Sequence, residues 1–208
     1  MLVRCVICFL LGAIPFAVLS MTGSGVDIRK VGSGNPGFNN VLRVSKGRAV
    51  IALMGDMGKG LLALWIVLRV WPMVFPGGID PGVVLGWLFG FVTVLGHCYS
   101  PFLKFNGGKG IAASAGVMLM LYPKWAAVGL IFFVIFRMTG GKLQWREAGA
   151  LASLATWILF VILMLIFVGK MDALYAATMT LFLLYRHQKN IRNLLTAPGQ
   201  EGSGAHRK

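Results

Sequence analysis

The sequence predicts an all-α, polytopic integral membrane protein, and three observations carry that prediction. Hydrophobic residues make up 57% of the 208, with a mean hydropathy of +0.78, which suits a chain solvated by lipid. The apolar residues fall into long runs rather than alternating, which suits helices whose backbone groups must bond internally in a bilayer. Lysine and arginine, 20 against 6 acids for a net charge of +14, gather in alternate polar segments. Such charge on a soluble chain would suggest nucleic acid. On this one it reads as loop charge facing an anionic substrate, and no nucleic-acid partner is expected.

Seven spans follow in order. Met1 to Ser20 carries one charge, Arg4, and resembles a signal peptide ending at Thr22-Gly23-Ser24-Gly25, but the topology needs it as a retained span. Val26 to Arg48 is a polar loop. Ala49 to Trp71 is the second span, with Asp56 and Lys59 at i and i+3, placed to pair on one helix face. After a loop from Pro72 to Pro81, Val83 to Gly96 is the third, and residues 96–110 form a second polar loop. Ile111 to Tyr122 is a short fourth span rich in small residues, suited to packing on another helix or to starting inside the protein at its glycine loop.

Pro123 and Lys124 separate it from Trp125 to Met138, the fifth span, and Thr139 to Glu147 is a third basic loop. Ala148 to Val168 is the sixth, carrying Ser153 and Thr156. Lys170 to Asp172 reads as a tight turn and Ala173 to Tyr185 as the seventh span. One domain, 1–195, is predicted, with a flexible tail over 196–208. Sixteen of the 20 basic residues fall on one side, and only Arg4, Arg69, Lys124 and Lys170 on the other. That asymmetry places the N-terminus outside and the C-terminus in the cytoplasm.

Three polar, glycine-rich stretches then meet at the cytoplasmic face: VGSGNPGFNNVLR (31–43), GDMGKG (55–60) and NGGKG (106–110). Glycine, asparagine and proline make tight turns whose N–H groups converge into anion-binding concavities, and arginine adds a planar fork for phosphate. The candidate phosphate ligands are the backbone at Gly32, Gly34, Asn35, Gly107 and Gly108, with Asn40, Arg43, Asp56, Lys59, His97, Lys104, Lys109 and His187. For Asp56 and Lys59, a pair that locks helices together is as good a reading as substrate contact. Metal ligation is not expected: Cys5 and Cys8 make a lone CxxC in an apolar run, and Cys98 stands apart, so all three read as buried thiols. No nucleophile elbow occurs, and no histidine is followed by the aspartate of soluble glycerolipid acyltransferases, so any base is a histidine or the substrate itself.

VGSGNPGFNNVLR, GDMGKG, GHCYSPFLKFNGGKG and YRHQKNIRNLL, in that order and spacing, resemble the bacterial membrane acyl-phosphate:glycerol-3-phosphate acyltransferases, the PlsY family. The resemblance runs to about Leu195. It implies transfer of an acyl group from acyl phosphate to the 1-hydroxyl of glycerol 3-phosphate, giving lysophosphatidate and phosphate at the inner membrane, the first acylation of phospholipid synthesis. It implies no cofactor, a membrane lipid environment and a partner enzyme upstream that forms the acyl phosphate; the sequence leaves the oligomeric state open, a monomer among the options. Carried over by motif, Ser33, Arg43, Lys109, His187 and Asn190 line the site, and Ser153 matches a serine on the sixth helix.

The chain departs from the family in REAGALAS, where Ala150 replaces a serine, at Asn39 and Asn106, and in TAPGQEG, so Glu201 is given no role. The rival from another class is a transporter or channel for a phosphorylated solute, against which the one-sided polar stretches and the lack of an inverted repeat argue. A non-catalytic scaffold would not need three anion-shaped loops.

Overall fold

The computed structural model describes residues 1–71 and 82–196; the predicted loop over 72–81 and the tail over 197–208, with Glu201, lie outside the described residues. All regular elements among the described residues are helical. They are α1 (Leu2–Ala13), α2 (Phe16–Leu19), α3 (Phe38–Val44), α4 (Lys46–Trp65, running on as a π-helical turn over Ile66–Val70) and α5 (Gly82–Cys98). After a 3₁₀ turn at Pro101–Leu103 come α6 (Ile111–Leu121), α7 (Pro123–Lys142), α8 (Ala148–Phe167), α9 (Lys170–Arg186) and α10 (Gln188–Leu195). The chain forms two compact units, Met1–Val128 and Gly129 onward.

Among the described residues, five segments are long and apolar enough to cross a bilayer: Leu2–Leu19, Lys46–Val70, Gly82–Leu103, Pro123–Lys142 and Ala148–Phe167. The predicted fourth and seventh spans correspond to shorter helices. α6 has 11 residues, about 16 Å at 1.5 Å per residue against a hydrocarbon core of about 30 Å. α9 has 17.

In the first unit α1 packs on α5 and α4 on α6. Both contacts depend on glycines that let backbone meet backbone. A Cβ on Gly12 would strike the Thr93 carbonyl and one on Gly96 the Phe9 carbonyl; Gly60 and Gly116 stand in the same relation to Ala113 and Met57. In lipid, where apolar side chains gain little by leaving solvent, such close approach drives helix pairing. Gly116→Leu is therefore expected to cost about 1–3 kcal/mol, read as a lowered thermal midpoint in detergent.

α1 and α2 form one broken rod along α4. Arg4 stacks its guanidinium 4.5 Å from the Trp71 ring at one end, and Arg48 donates to the Ser20 and Thr22 carbonyls near the other. The break is at Pro15, which has no N–H to continue the helix. The Ala13 carbonyl is left without a helical donor and the Ile14 carbonyl with only a short turn bond from the Phe16 N–H at 3.1 Å, and an unsatisfied carbonyl is costly at membrane depth. Ser100 Oγ donates to Ala13 O at 2.6 Å and Lys59 Nζ to Ile14 O at 2.7 Å.

Several predicted boundaries move. The first polar loop contains α3, and α4 already begins at Lys46, because Ser45 accepts from the Arg48 N–H and caps it. α7 begins at Pro123, which is favoured in a first helical turn, and runs to Lys142 through Gly140 and Gly141. Glycine inside a helix costs only about 1 kcal/mol, and Gly140 packs against Trp145 and Ala148. The Lys170–Asp172 turn is instead the first turn of α9, where the Asp172 carboxylate suits the positive helix end. The start of the tail is a helix, α10. In the second unit α8 packs on α9, and within α8 the Trp157 and Phe160 rings stand edge to face at 5.3 Å.

Candidate active site

The first glycine stretch in the first unit is a turn held from below. Ile28, Val41, Ala17, Met21, Ala49 and Ala52 form a buried apolar cluster, with Phe38, Leu42 and Val31 packed on it. Ile28 and Val41 are 1% and 0% exposed, each contributing about 1.5–3 kcal/mol. On that base α3 presents Asn40 and Arg43, three residues apart on one face. The Asn40 side chain accepts from the Ser33 N–H at 3.0 Å and donates to Ile28 O and Val31 O at 2.9 and 3.0 Å.

Asn40 is 2% exposed and all of its amide is used on the loop backbone, so it braces the loop. Gly32 takes φ +58°, and a Cβ there would collide with Asn40 Oδ1 and crowd Arg43 Nη1. Glycine is required on both counts. Ser33 and Arg43 are exposed, while Asn35 and Gly34 are half-buried. Asn40→Ala should leave the Ser33 N–H and the Ile28 carbonyl without the partner it supplies, while Val31 O keeps the Gly34 N–H, at about 1–3 kcal/mol for each group left unsatisfied, read as faster proteolysis between 28 and 43.

Nearby, Asp27 accepts from the Arg29 N–H and guanidinium, and those bonds pull its carboxyl down to about 2. It stays ionised at any ordinary pH.

NGGKG folds back onto the end of α5. The Gly107 N–H donates to Cys98 O at 3.1 Å and the Gly108 N–H to His97 O at 3.2 Å. A side chain on either glycine would strike that backbone or the His97 ring. Gly110 at φ +93° turns the chain into α6, leaving Lys109 half-buried just before that helix. Lys104 is exposed, with φ +51°. Pro36 of the first loop and Gly108 of the second line one small pocket, with Asp56, Lys59, His97 and Ser100 also in its wall.

GDMGKG is no loop. It lies inside α4, where Gly55 receives Phe16 and Gly60 receives α6. Its ionisable residues pair as their spacing predicts: Lys59 Nζ lies 2.7 Å from Asp56 Oδ1, and His97 Nδ1 lies 3.4 Å from the same oxygen. Exposures of 1%, 4% and 7% for Asp56, Lys59 and His97 show that this charged cluster is buried. The three underlie the glycine loops, and the helix-locking reading of the pair is the one the geometry favours.

In the second unit His187 is the joint between α9 and α10, 3% exposed, its Nδ1 2.8 Å from Leu183 O. A carbonyl only accepts, so Nδ1 carries a proton and, in the neutral ring, Nε2 is the acceptor. Ser153 is buried on α8, its hydroxyl donating to Gly149 O at 2.8 Å. Asn190 donates through Nδ2 to Glu147 Oε2, and Asn193 to Oε1 at 2.9 Å. Sequence reasoning gave no role to Ser100 or Glu147. An acid in a loop of basic residues was the one available signal for Glu147.

The profile of the family described as glycerol-3-phosphate acyltransferase matches residues 2–197. The chain belongs to the glycerol-3-phosphate acyltransferase family. A relative of that name from Nitratiruptor sp. is 35% identical over 95% of this chain and 92% of its own. Another, from Pseudomonas syringae pv. tomato, is 37% identical over 90% of each. Among solved structures, the integral membrane glycerol 3-phosphate acyltransferase PlsY (YgiH) in its glycerol 3-phosphate form aligns with a TM-score of 0.76 and 31% identity, over 93% of this chain and 91% of that one. Its lysophosphatidic acid form aligns at 0.75 and 28%, over the same shares. The family thus places this all-helical chain among membrane-embedded acyltransferases.

Proposed function

We propose that this protein transfers the acyl group of a long-chain acyl phosphate to the 1-hydroxyl of glycerol 3-phosphate, giving lysophosphatidate and inorganic phosphate. The observation that carries the proposal is that each glycine loop gives one residue, Pro36 and Gly108, to the wall of one small pocket, with Ser33 and Arg43 exposed on the first loop and Lys109 half-buried in the second. Acyl phosphate is already an activated mixed anhydride, so the protein's task is to position two phosphates and neutralise their charge.

In the first unit Arg43, Lys109 and the Ser33 hydroxyl hold phosphate; Asn40, Asp56, Lys59, His97 and the loop amides, which donate within the protein at Ser33, Gly34, Gly107 and Gly108, keep those groups in place. In the second, His187 and Asn190 orient the substrate. The glycerol oxygen attacks the acyl carbon, the carbon–oxygen bond to phosphate breaks, and the hydroxyl proton leaves with the departing phosphate. His187 Nδ1 is held by the Leu183 carbonyl, and the departing phosphate brings its own acceptor oxygen to the hydroxyl, which favours that route.

Seven crossings, with α6 and α9 completing the set, place the N-terminus outside and the glycine loops on the cytoplasmic side of the inner membrane. The charge asymmetry supports that orientation, as does the Arg4–Trp71 contact, which joins two ends assigned to the outer face. Residues 1–195 work as one catalytic domain, a monomer suffices, and an acyl-phosphate-forming enzyme supplies the donor. Purified protein in detergent with palmitoyl phosphate and glycerol 3-phosphate is expected to release phosphate only when both are present. Release that ignores glycerol 3-phosphate would reject the proposal.

A further inference from the structure

We propose that Glu147 is a positioning residue that sets which way the Asn190 amide faces, so that Asn190 offers the substrate an acceptor oxygen. The inference rests on the reading above, in which Asn190 belongs to the site. The chain has only 6 acids, and this one stands in a basic segment. A carboxylate has the wrong charge to hold phosphate, so its task lies elsewhere. Its two oxygens divide between two donors: Oε2 takes Asn190 Nδ2 and Oε1 takes Asn193 Nδ2.

Asn190 and Asn193 are three residues apart, on one face of α10, and two bonds from one carboxylate fix the roll of that short helix. Neighbouring Arg146 donates to Thr196 O at 2.8 Å and ties the far end of α10 to the same turn.

The chemistry of the pair decides the amide's orientation. A carboxylate only accepts, so the nitrogen of Asn190 must face Glu147 and the oxygen must face away. What Asn190 presents on its other side is thus the partner for a hydroxyl, the group that glycerol 3-phosphate brings to the reaction. Glu147 takes φ +56°, a conformation that asparagine or glycine would occupy more easily. The carboxylate is the reason another residue would not serve.

The test is steady-state turnover of palmitoyl phosphate and glycerol 3-phosphate by the full-length protein in detergent, per folded molecule. Glu147→Gln keeps the shape but offers one acceptor where two donors arrive. It should lower kcat roughly tenfold, with the KM for palmitoyl phosphate within about twofold. Asn190→Asp sets carboxylate against carboxylate and should cost about a hundredfold.

Combining Glu147→Gln with Asn190→Asp restores the bond with its polarity reversed, the glutamine now donating. The double variant should exceed Asn190→Asp alone by about tenfold. If the double variant is no better than Asn190→Asp, or if Glu147→Gln changes only thermal stability while Asn190→Ala abolishes turnover, this inference fails and the site reading stands. If Asn190→Ala keeps full turnover, Asn190 leaves the site and both readings fall.

Discussion

Arg43→Ala is expected to lower kcat/KM by about 10²–10³-fold while leaving the fold intact, the scale on which removing one preorganised donor to a charged intermediate acts. The separation of activity from stability follows from where Arg43 sits. Its side chain is exposed beside Gly32, and the loop beneath is held by Asn40 and the apolar cluster without it. A surface change of that kind stays within about 0.5 kcal/mol of wild type, so the thermal midpoint in detergent should not move.

Arg43→Lys tests the geometry rather than the charge. Lysine is a point charge and cannot make the two parallel bonds of a guanidinium fork, so it should recover only part of the loss. Full recovery by lysine would mean that charge alone matters here, and an Arg43→Ala variant with normal kinetics would remove Arg43 from the phosphate site.

The elements that could be read in advance were those where the bilayer dictates pattern. Long apolar runs became α4, α5, α7 and α8 with ends shifted by a few residues, because backbone in lipid has few alternatives to helix. The Asp56–Lys59 contact was legible because i, i+3 spacing is local. What stayed hidden was set by distance along the chain.

Asn40 looks like a phosphate ligand in a glycine-asparagine run. Only its bonds to Ile28 and Val31, up to 12 residues away, show it as a brace. GDMGKG shares its composition with a phosphate loop, yet Gly55 and Gly60 are notches for Phe16 and α6, partners named nowhere in the motif. Glu147 reaches Asn190 across 43 residues. α3 and α10 are polar enough to pass for loop, and eight or fewer residues give too short a window for periodicity to declare itself.

Asp56→Ala should be the most damaging single change outside the exposed loops, and through stability rather than chemistry. It would strip the partner from Lys59 and His97 inside a candidate membrane span, where Lys59 is 4% exposed. Breaking a buried ion pair from one side costs about 3–5 kcal/mol, because the remaining charge has neither water nor counter-charge. Lys59 would then keep the Ile14 carbonyl beside the Pro15 break and the face of the Phe16 ring but lose Asp56, so α1, α4 and the base of the NGGKG loop should loosen together.

The expected result is a thermal midpoint in detergent lowered by several degrees and a broadened elution profile, before any assay of turnover. Asp56→Asn keeps the shape and one acceptor oxygen and should lie between. Asp56→Asn combined with Lys59→Met removes both charges and should regain most of the lost stability, since a buried pair contributes little over apolar groups of similar size. If that double variant is as stable as wild type yet transfers acyl groups slowly, the pair holds the glycine loops in their working positions. If Asp56→Ala alone is as stable as wild type, the buried cluster is not what supports them.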